Sequence, residues 1–213
     1  MTISPPSPPG LEALMRVSAA VAARDGATLE ASFPQVAEEV SREAMEEALL
    51  QTYLFVGYPV AMNALAAWRR WSGTVPVGVE GTTPSEWSHR GERVCRAVYG
   101  SQYEALRRNV RSLHPDLEEW MVTEGYGKVL GRPGLGLVER ELCIVALLAV
   151  IRVPTQLYSH LRGALSVGAT KGQVERALEV AGEFLPPEGW EEARGNWRKV
   201  QERVARREED GRG

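Results

Sequence analysis

The chain has 213 residues, a formal net charge of −3 and 44% hydrophobic residues, enough apolar material for one large core or two modest ones. Lys and Arg are interspersed with Asp and Glu, so no basic face forms and nucleic acid is excluded as an expected partner. The two cysteines, Cys95 and Cys143, are too few for a disulfide framework or a thiolate zinc site.

In chain order, residues 1–10 are rich in Pro and Ser and carry neither the basic region nor the apolar core of a secretion signal. They read as a disordered lead-in, and the protein is expected in the cytoplasm. Leu11, Leu14, Met15 and Val21 open one amphipathic helix, and Met45, Ala48, Leu49, Thr52 and Tyr53 mark a second, each at helical spacing. Gly57-Tyr58-Pro59 interrupts the pattern. Residues 72–91, rich in Gly, Ser, Thr and Pro, read as a linker, followed by an amphipathic stretch from Val94 to Val110. Gly131-Arg132-Pro133-Gly134 is the next break. Leu142 to Ile151 is apolar all round but spans only half of the roughly 20 residues a membrane helix needs, so it reads as a buried core helix and no membrane is expected. Val153-Pro154 and Pro186-Pro187 add two further breaks, and 205–213 is a charged tail. No segment alternates as a strand would. The fold class expected is all-α, a bundle of roughly eight helices.

Sliding the chain against itself by 129 residues aligns 11–70 with 140–199 and yields ten identities in sixty positions, where average residue usage gives roughly four or five. Seven of the ten fall in one block, where Glu46, Ala48, Leu49, Phe55, Ala64, Trp68 and Arg69 match Glu175, Ala177, Leu178, Phe184, Ala193, Trp197 and Arg198. The expected organisation is a first, degenerate helical repeat over 11–71 and a second, more complete unit over 92–204.

The chemistry is concentrated in the second unit. The run from Tyr126-Gly127-Lys128-Val129-Leu130-Gly131-Arg132-Pro133-Gly134-Leu135 through Arg140-Glu141-Leu142 to His160-Leu161-Arg162-Gly163-Ala164 and Gly168-Ala169-Thr170 resembles the carboxymuconolactone decarboxylase and alkylhydroperoxidase superfamily. That resemblance implies a helical bundle of the alkylhydroperoxidase type, symmetric homo-oligomers and chemistry without a cofactor. In the peroxidase branch two cysteines lie between the Glu and the His. The corresponding positions here are Val153 and Gln156, so a dithiol relay has neither an attacking nor a resolving thiol. In the decarboxylase branch an acidic residue commonly precedes the His by one helical turn, and Gln156 occupies that position.

What the resemblance implies is a carbon–carbon lyase acting on a small carboxylic acid or lactone, with His160 as acid or base and Glu141 orienting it. Departure of carbon dioxide leaves an electron pair to be stabilised and protonated at carbon. Arg132 or Arg162 would hold the carboxylate in the two-pronged manner of a guanidinium, with Gln156 and Tyr58 as further substrate-binding candidates, Tyr58 reaching in from the first repeat. If the chain reverses near Val153, Glu141 and His160 are offset by five residues, roughly 7–8 Å, a gap for a bridging water. No phosphate loop, serine-hydrolase elbow or cluster of metal ligands occurs, so neither cofactor nor metal is expected. In the first repeat Ala31 stands where the second has His160, which leaves a second reading open: a helical scaffold or small-molecule binder that kept the fold without the activity.

Overall fold

The computed structural model describes residues 9–75 and 82–210. The lead-in through residue 8, the middle of the expected linker (76–81) and the last three residues of the tail lie outside them. Among the described residues there is no strand. The elements are α1 (Pro9–Ala23), α2 (Gly26–Glu39), α3 (Arg42–Gln51), α4 (Tyr53–Ser72), α5 (Pro84–Tyr99), a 3-10 turn at Gly100–Gln102, α6 (Tyr103–Leu113), α7 (Pro115–Trp120), a π-helical segment Met121–Leu130, α8 (Leu137–Val150), α9 (Pro154–Ser166), α10 (Lys171–Gly182) and α11 (Pro187–Asp210). The all-helical expectation holds.

Side-chain caps explain where several of these helices begin. Ser41 accepts from Ala44 N–H at the start of α3, Asp25 from Thr28 N–H at α2, and Thr83 and Thr170 form capping boxes with Glu86 and Gln173 at α5 and α10, each satisfying backbone donors that the first turn leaves unpaired. The Thr83 box and Pro84 start α5 inside the stretch read as linker, so its last eight residues are helix. The amphipathic run from Val94 to Val110 is not one helix either, because Gly100 ends α5 and the 3-10 turn redirects the chain into α6. Within α4 the helix is kinked at Gly57, whose φ of 79° and ψ of 165° fall in a region open essentially to glycine alone.

The core centres on α1 and α8, which pack against each other. From Leu142 to Ala149 no side chain of α8 is more than 2% exposed, and α1 buries Ala13, Val17, Ala19 and Ala20 as completely as Leu14 and Met15. Two small-residue faces let α1 take neighbours on several sides, α2, α10 and α3 among them. Around this centre α9 and α10 cover α8, α11 covers α9, and α5 lies along both α9 and the π-helical segment. The α5 approach is close enough that a Cβ on Gly91 would stand 1.9 Å from the Val122 carbonyl oxygen and one on Gly127 2.0 Å from that of Trp87. Both positions therefore exclude any side chain.

Helix starts recur at the 129-residue spacing. The caps Ser41 and Thr170 are 129 residues apart, as are Tyr58, the first residue after the α4 kink, and Pro187, the first of α11.

Candidate acid–base site

The loop between the π-helical segment and α8 is tied down by Arg140, 1% exposed. Its Nε donates to the Leu135 carbonyl, one terminal nitrogen to Glu47 Oε2 at 2.8 Å and to the Arg132 carbonyl, and the other to Gln51 Oε1. Arg132 donates from Nε to both Glu47 oxygens, at 2.9 and 3.1 Å. One carboxylate on α3 thus pins both Arg132 and Arg140. Burial pulls the Arg140 guanidinium below its ordinary pKa while the Glu47 carboxylate opposes that shift, the balance expected for a desolvated pair.

One residue on, Glu141 faces the opposite neighbour. Its Oε2 lies 2.9 Å from His160 Nδ1, with Glu141 2% and His160 6% exposed. Contact is direct because the chain reverses one residue earlier than Val153, at Arg152, which adopts a left-handed φ of 56°. The axial offset shrinks to three residues, roughly 4–5 Å, which two long side chains span without water. An ionised Glu141 can only accept, so Nδ1 carries the hydrogen and Nε2 is the basic nitrogen of the neutral ring.

The surroundings of the pair are aromatic. Phe55 and Tyr99 meet the His160 ring edge-on, with centroids 5.9 and 6.4 Å away. The Tyr126 hydroxyl donates to that of Tyr99 at 2.9 Å. Burial is the main force raising both phenols above their ordinary range, and the Glu141 charge adds to it, so both stay protonated near neutrality. Cys95 is also close enough to feel Glu141; burial pushes its thiol, like that of Cys143, up to about 12. Neither free cysteine offers a thiolate. Gly163, one turn after His160, admits the carboxylate: a Cβ there would stand 2.8 Å from Glu141 Oε2 and 2.7 Å from Val98 Cγ1.

Of the residues singled out from sequence, Glu141 and His160 are brought together. Arg132 is engaged by Glu47, and Arg162, half-buried on α9, has its guanidinium over the Tyr158 ring at 5.8 Å. Gln156 is exposed in the first turn of α9. Tyr58 is 61% exposed and stacks on Tyr53, whose hydroxyl donates to Glu124. His89 is exposed, and His114, also exposed, caps α7 by accepting from Asp116 N–H. Sequence reasoning missed Tyr99, Tyr126 and Phe55 as neighbours of the pair. Tyr99 could have been found: it shares a face of α5 with Cys95 at i,i+4 spacing.

The chain was compared with known proteins. A family model described as the carboxymuconolactone decarboxylase family matches residues 115–197, the span from α7 into α11 that carries Glu141 and His160. A curated relative, peroxisomal protein 2 of Schizosaccharomyces pombe, is 30% identical over 170 residues, covering 70% of this chain and 76% of the relative. With the helical fold and the buried Glu–His pair, these matches establish that the chain belongs to the carboxymuconolactone decarboxylase family.

Proposed function

We propose that the protein is a cofactor-independent carbon–carbon lyase acting on a small carboxylic acid or lactone, with His160 as the acid–base group and Glu141 positioning it. The observation that carries this reading is the buried Nδ1–Oε2 contact of 2.9 Å. A carboxylate on Nδ1 fixes the tautomer and stabilises the imidazolium, so Nε2 can hold a proton and return it. In the reaction the C–C bond to the carboxylate breaks, carbon dioxide leaves, and its electron pair passes into the conjugated lactone. The proton that Nε2 carries in the imidazolium form then adds to carbon, leaving the neutral ring with its hydrogen on Nδ1, and solvent returns a proton to Nε2. Arg162, which lines a cleft together with Tyr99, is the arginine proposed to hold a substrate carboxylate. Carbon dioxide release from a panel of small carboxylactones tests the reading. His160→Ala is expected to lower turnover about 100-fold or more, and Glu141→Gln to shift the pH–rate profile; an unchanged rate and profile in both variants defeats it.

The second reading, a binder or scaffold without turnover, is favoured by the edge-on packing of Phe55 and Tyr99 against a His160 only 6% exposed. It predicts binding of small acids with no carbon dioxide released.

The division into a first unit over 11–71 and a second over 92–204 is proposed as a fused, unequal pair. It is supported by the recurring helix starts and by ion pairs between the two stretches: Glu12 on α1 with Arg176 on α10, and Arg140 on α8 with Glu47 on α3, where Glu47 and Arg176 are 129 residues apart and Arg140 lies one residue before the counterpart of Glu12. Glu46 pairs with Arg69, whereas its counterpart Glu175 accepts from Trp197, so each unit uses a different half of the shared Trp-Arg dipeptide. A homo-oligomer is proposed from Tyr58 and Met62, 61% and 63% exposed on α4, a face on which Tyr58 could serve a site completed by assembly. No helix of the described residues is long and apolar enough to cross a membrane. The relative's name places that protein in the peroxisome, so peroxisome and cytoplasm are the compartments to compare by imaging a tagged chain.

A further inference from the structure

Between α5, α9 and α11 lies a cleft of about 320 Å³, at the small end of the range of about 300–1,000 Å³ typical of small-molecule sites. Leu165, Val200 and Val204 give it an apolar wall, and Arg162 and Arg203 line it as well. No acidic residue among the described residues lines it. The Nε of Arg203 is buried without a hydrogen-bond acceptor, an arrangement proteins rarely leave unexplained. Two arginines beside apolar side chains, with no carboxylate in the lining, suit an anion with a hydrocarbon body.

The inner wall connects to the acid–base pair. Tyr99 lines the cleft, and its ring is the one that meets His160 edge-on. Its hydroxyl accepts from Tyr126, which leaves its own O–H to donate, and burial keeps the phenol protonated. A ligand in the cleft therefore has guanidinium groups along its side and is separated from His160 by the Tyr99 ring.

We infer that this cleft binds a small organic carboxylate, its carboxylate on Arg203 and Arg162, its apolar body along Val200 and Leu165, and its far end toward Tyr99. The choice of a carboxylic acid as ligand class rests on the lyase reading, while binding itself is measured apart from turnover. The test is titration calorimetry on the full chain with benzoate, with benzamide as the uncharged control and inorganic phosphate as the competing anion. Benzoate is expected to bind and benzamide not to; Arg203→Gln and Arg162→Gln each weaken benzoate at least tenfold, and Arg194→Gln, exposed on α11 and outside the cleft lining, binds as the parent does. Should an arginine variant fail to fold, Ser101→Trp at the exposed rim is expected to block the cleft and abolish binding. Equal binding of benzoate and benzamide, preference for phosphate, or benzoate affinity untouched by both arginine substitutions or by Ser101→Trp overturns the inference. Arginine-dependent binding without carbon dioxide release would sink the lyase reading and leave the cleft standing. Carbon dioxide release with binding indifferent to the arginines does the reverse.

Discussion

At the scale of single residues, Gly163 and Glu141 are coupled by space. A methyl group at Gly163 would meet both Glu141 Oε2 and Val98, so Gly163→Ala should displace the carboxylate from His160 and destabilise the fold by about 1–3 kcal/mol, the usual range for overpacking. A thermal melt together with the His160 titration followed by NMR reads both effects; a variant with the parental melting point and titration would show that the helices separate freely there. Glu118 governs another residue-level property. The Arg107 guanidinium hydrogen-bonded to this buried carboxylate holds it below its ordinary pKa of 4.5, with Arg111 assisting. Because the folded value is the lower one, this stabilisation is fully present above about pH 4.5 and is lost as pH falls through the folded value. Glu118→Gln should therefore lower stability at pH 7 and flatten its fall on acidification, measured as denaturant midpoints from pH 7 to pH 3. Parallel curves for parent and variant would refute the assignment.

Among the elements, the α4 kink and the crossing of α5 over the π-helical segment each depend on glycine. At Gly57 there is room for a Cβ, whose nearest neighbour is Pro59 Cδ at 3.8 Å, but the backbone conformation is wrong for one. Gly57→Ala is expected to cost about 1–3 kcal/mol and to disturb Phe55, which packs on His160 two residues before the kink. At Gly127 the obstacle is a backbone carbonyl, which cannot swing aside as a side chain can, so Gly127→Ala should cost more than Gly57→Ala; denaturant unfolding of the two variants ranks them. The elements were unevenly legible in sequence. Caps and prolines mark helix starts through local chemistry, so the breaks at 57–59, 131–134, 153–154 and 186–187 coincide with ends or kinks. The π-helical winding of 121–130 was not legible, because π-helix is rare and its residues show the same apolar spacing an α-helix would. The alanines of α1 concealed its burial on nearly every side, since small residues contribute little to a hydrophobic periodicity.

Across the whole molecule, two ion pairs tie the early helices to the later ones, Glu47–Arg140 between α3 and α8 and Glu12–Arg176 between α1 and α10, and they differ in exposure. Arg140 is 1% exposed and Glu47 8%, against 40% and 32% for Arg176 and Glu12. Glu47→Ala strands a buried guanidinium and should cost about 3–5 kcal/mol, whereas Glu12→Ala at the screened pair should cost about 0–1 kcal/mol. Equal losses in urea denaturation would mean that burial does not set the difference. The sequence alone determined that the chain is helical, where most helices are interrupted, and that Glu141 and His160 are the pair to examine, because periodicity, capping and motif spacing are local properties. Only the tertiary structure decided that the pair touches directly, that Arg132 is held by Glu47 and that Tyr58 stacks on Tyr53. Those outcomes depend on a one-residue shift of the turn at Arg152 and on contacts between α3 and α8, more than eighty residues apart, which no local pattern encodes.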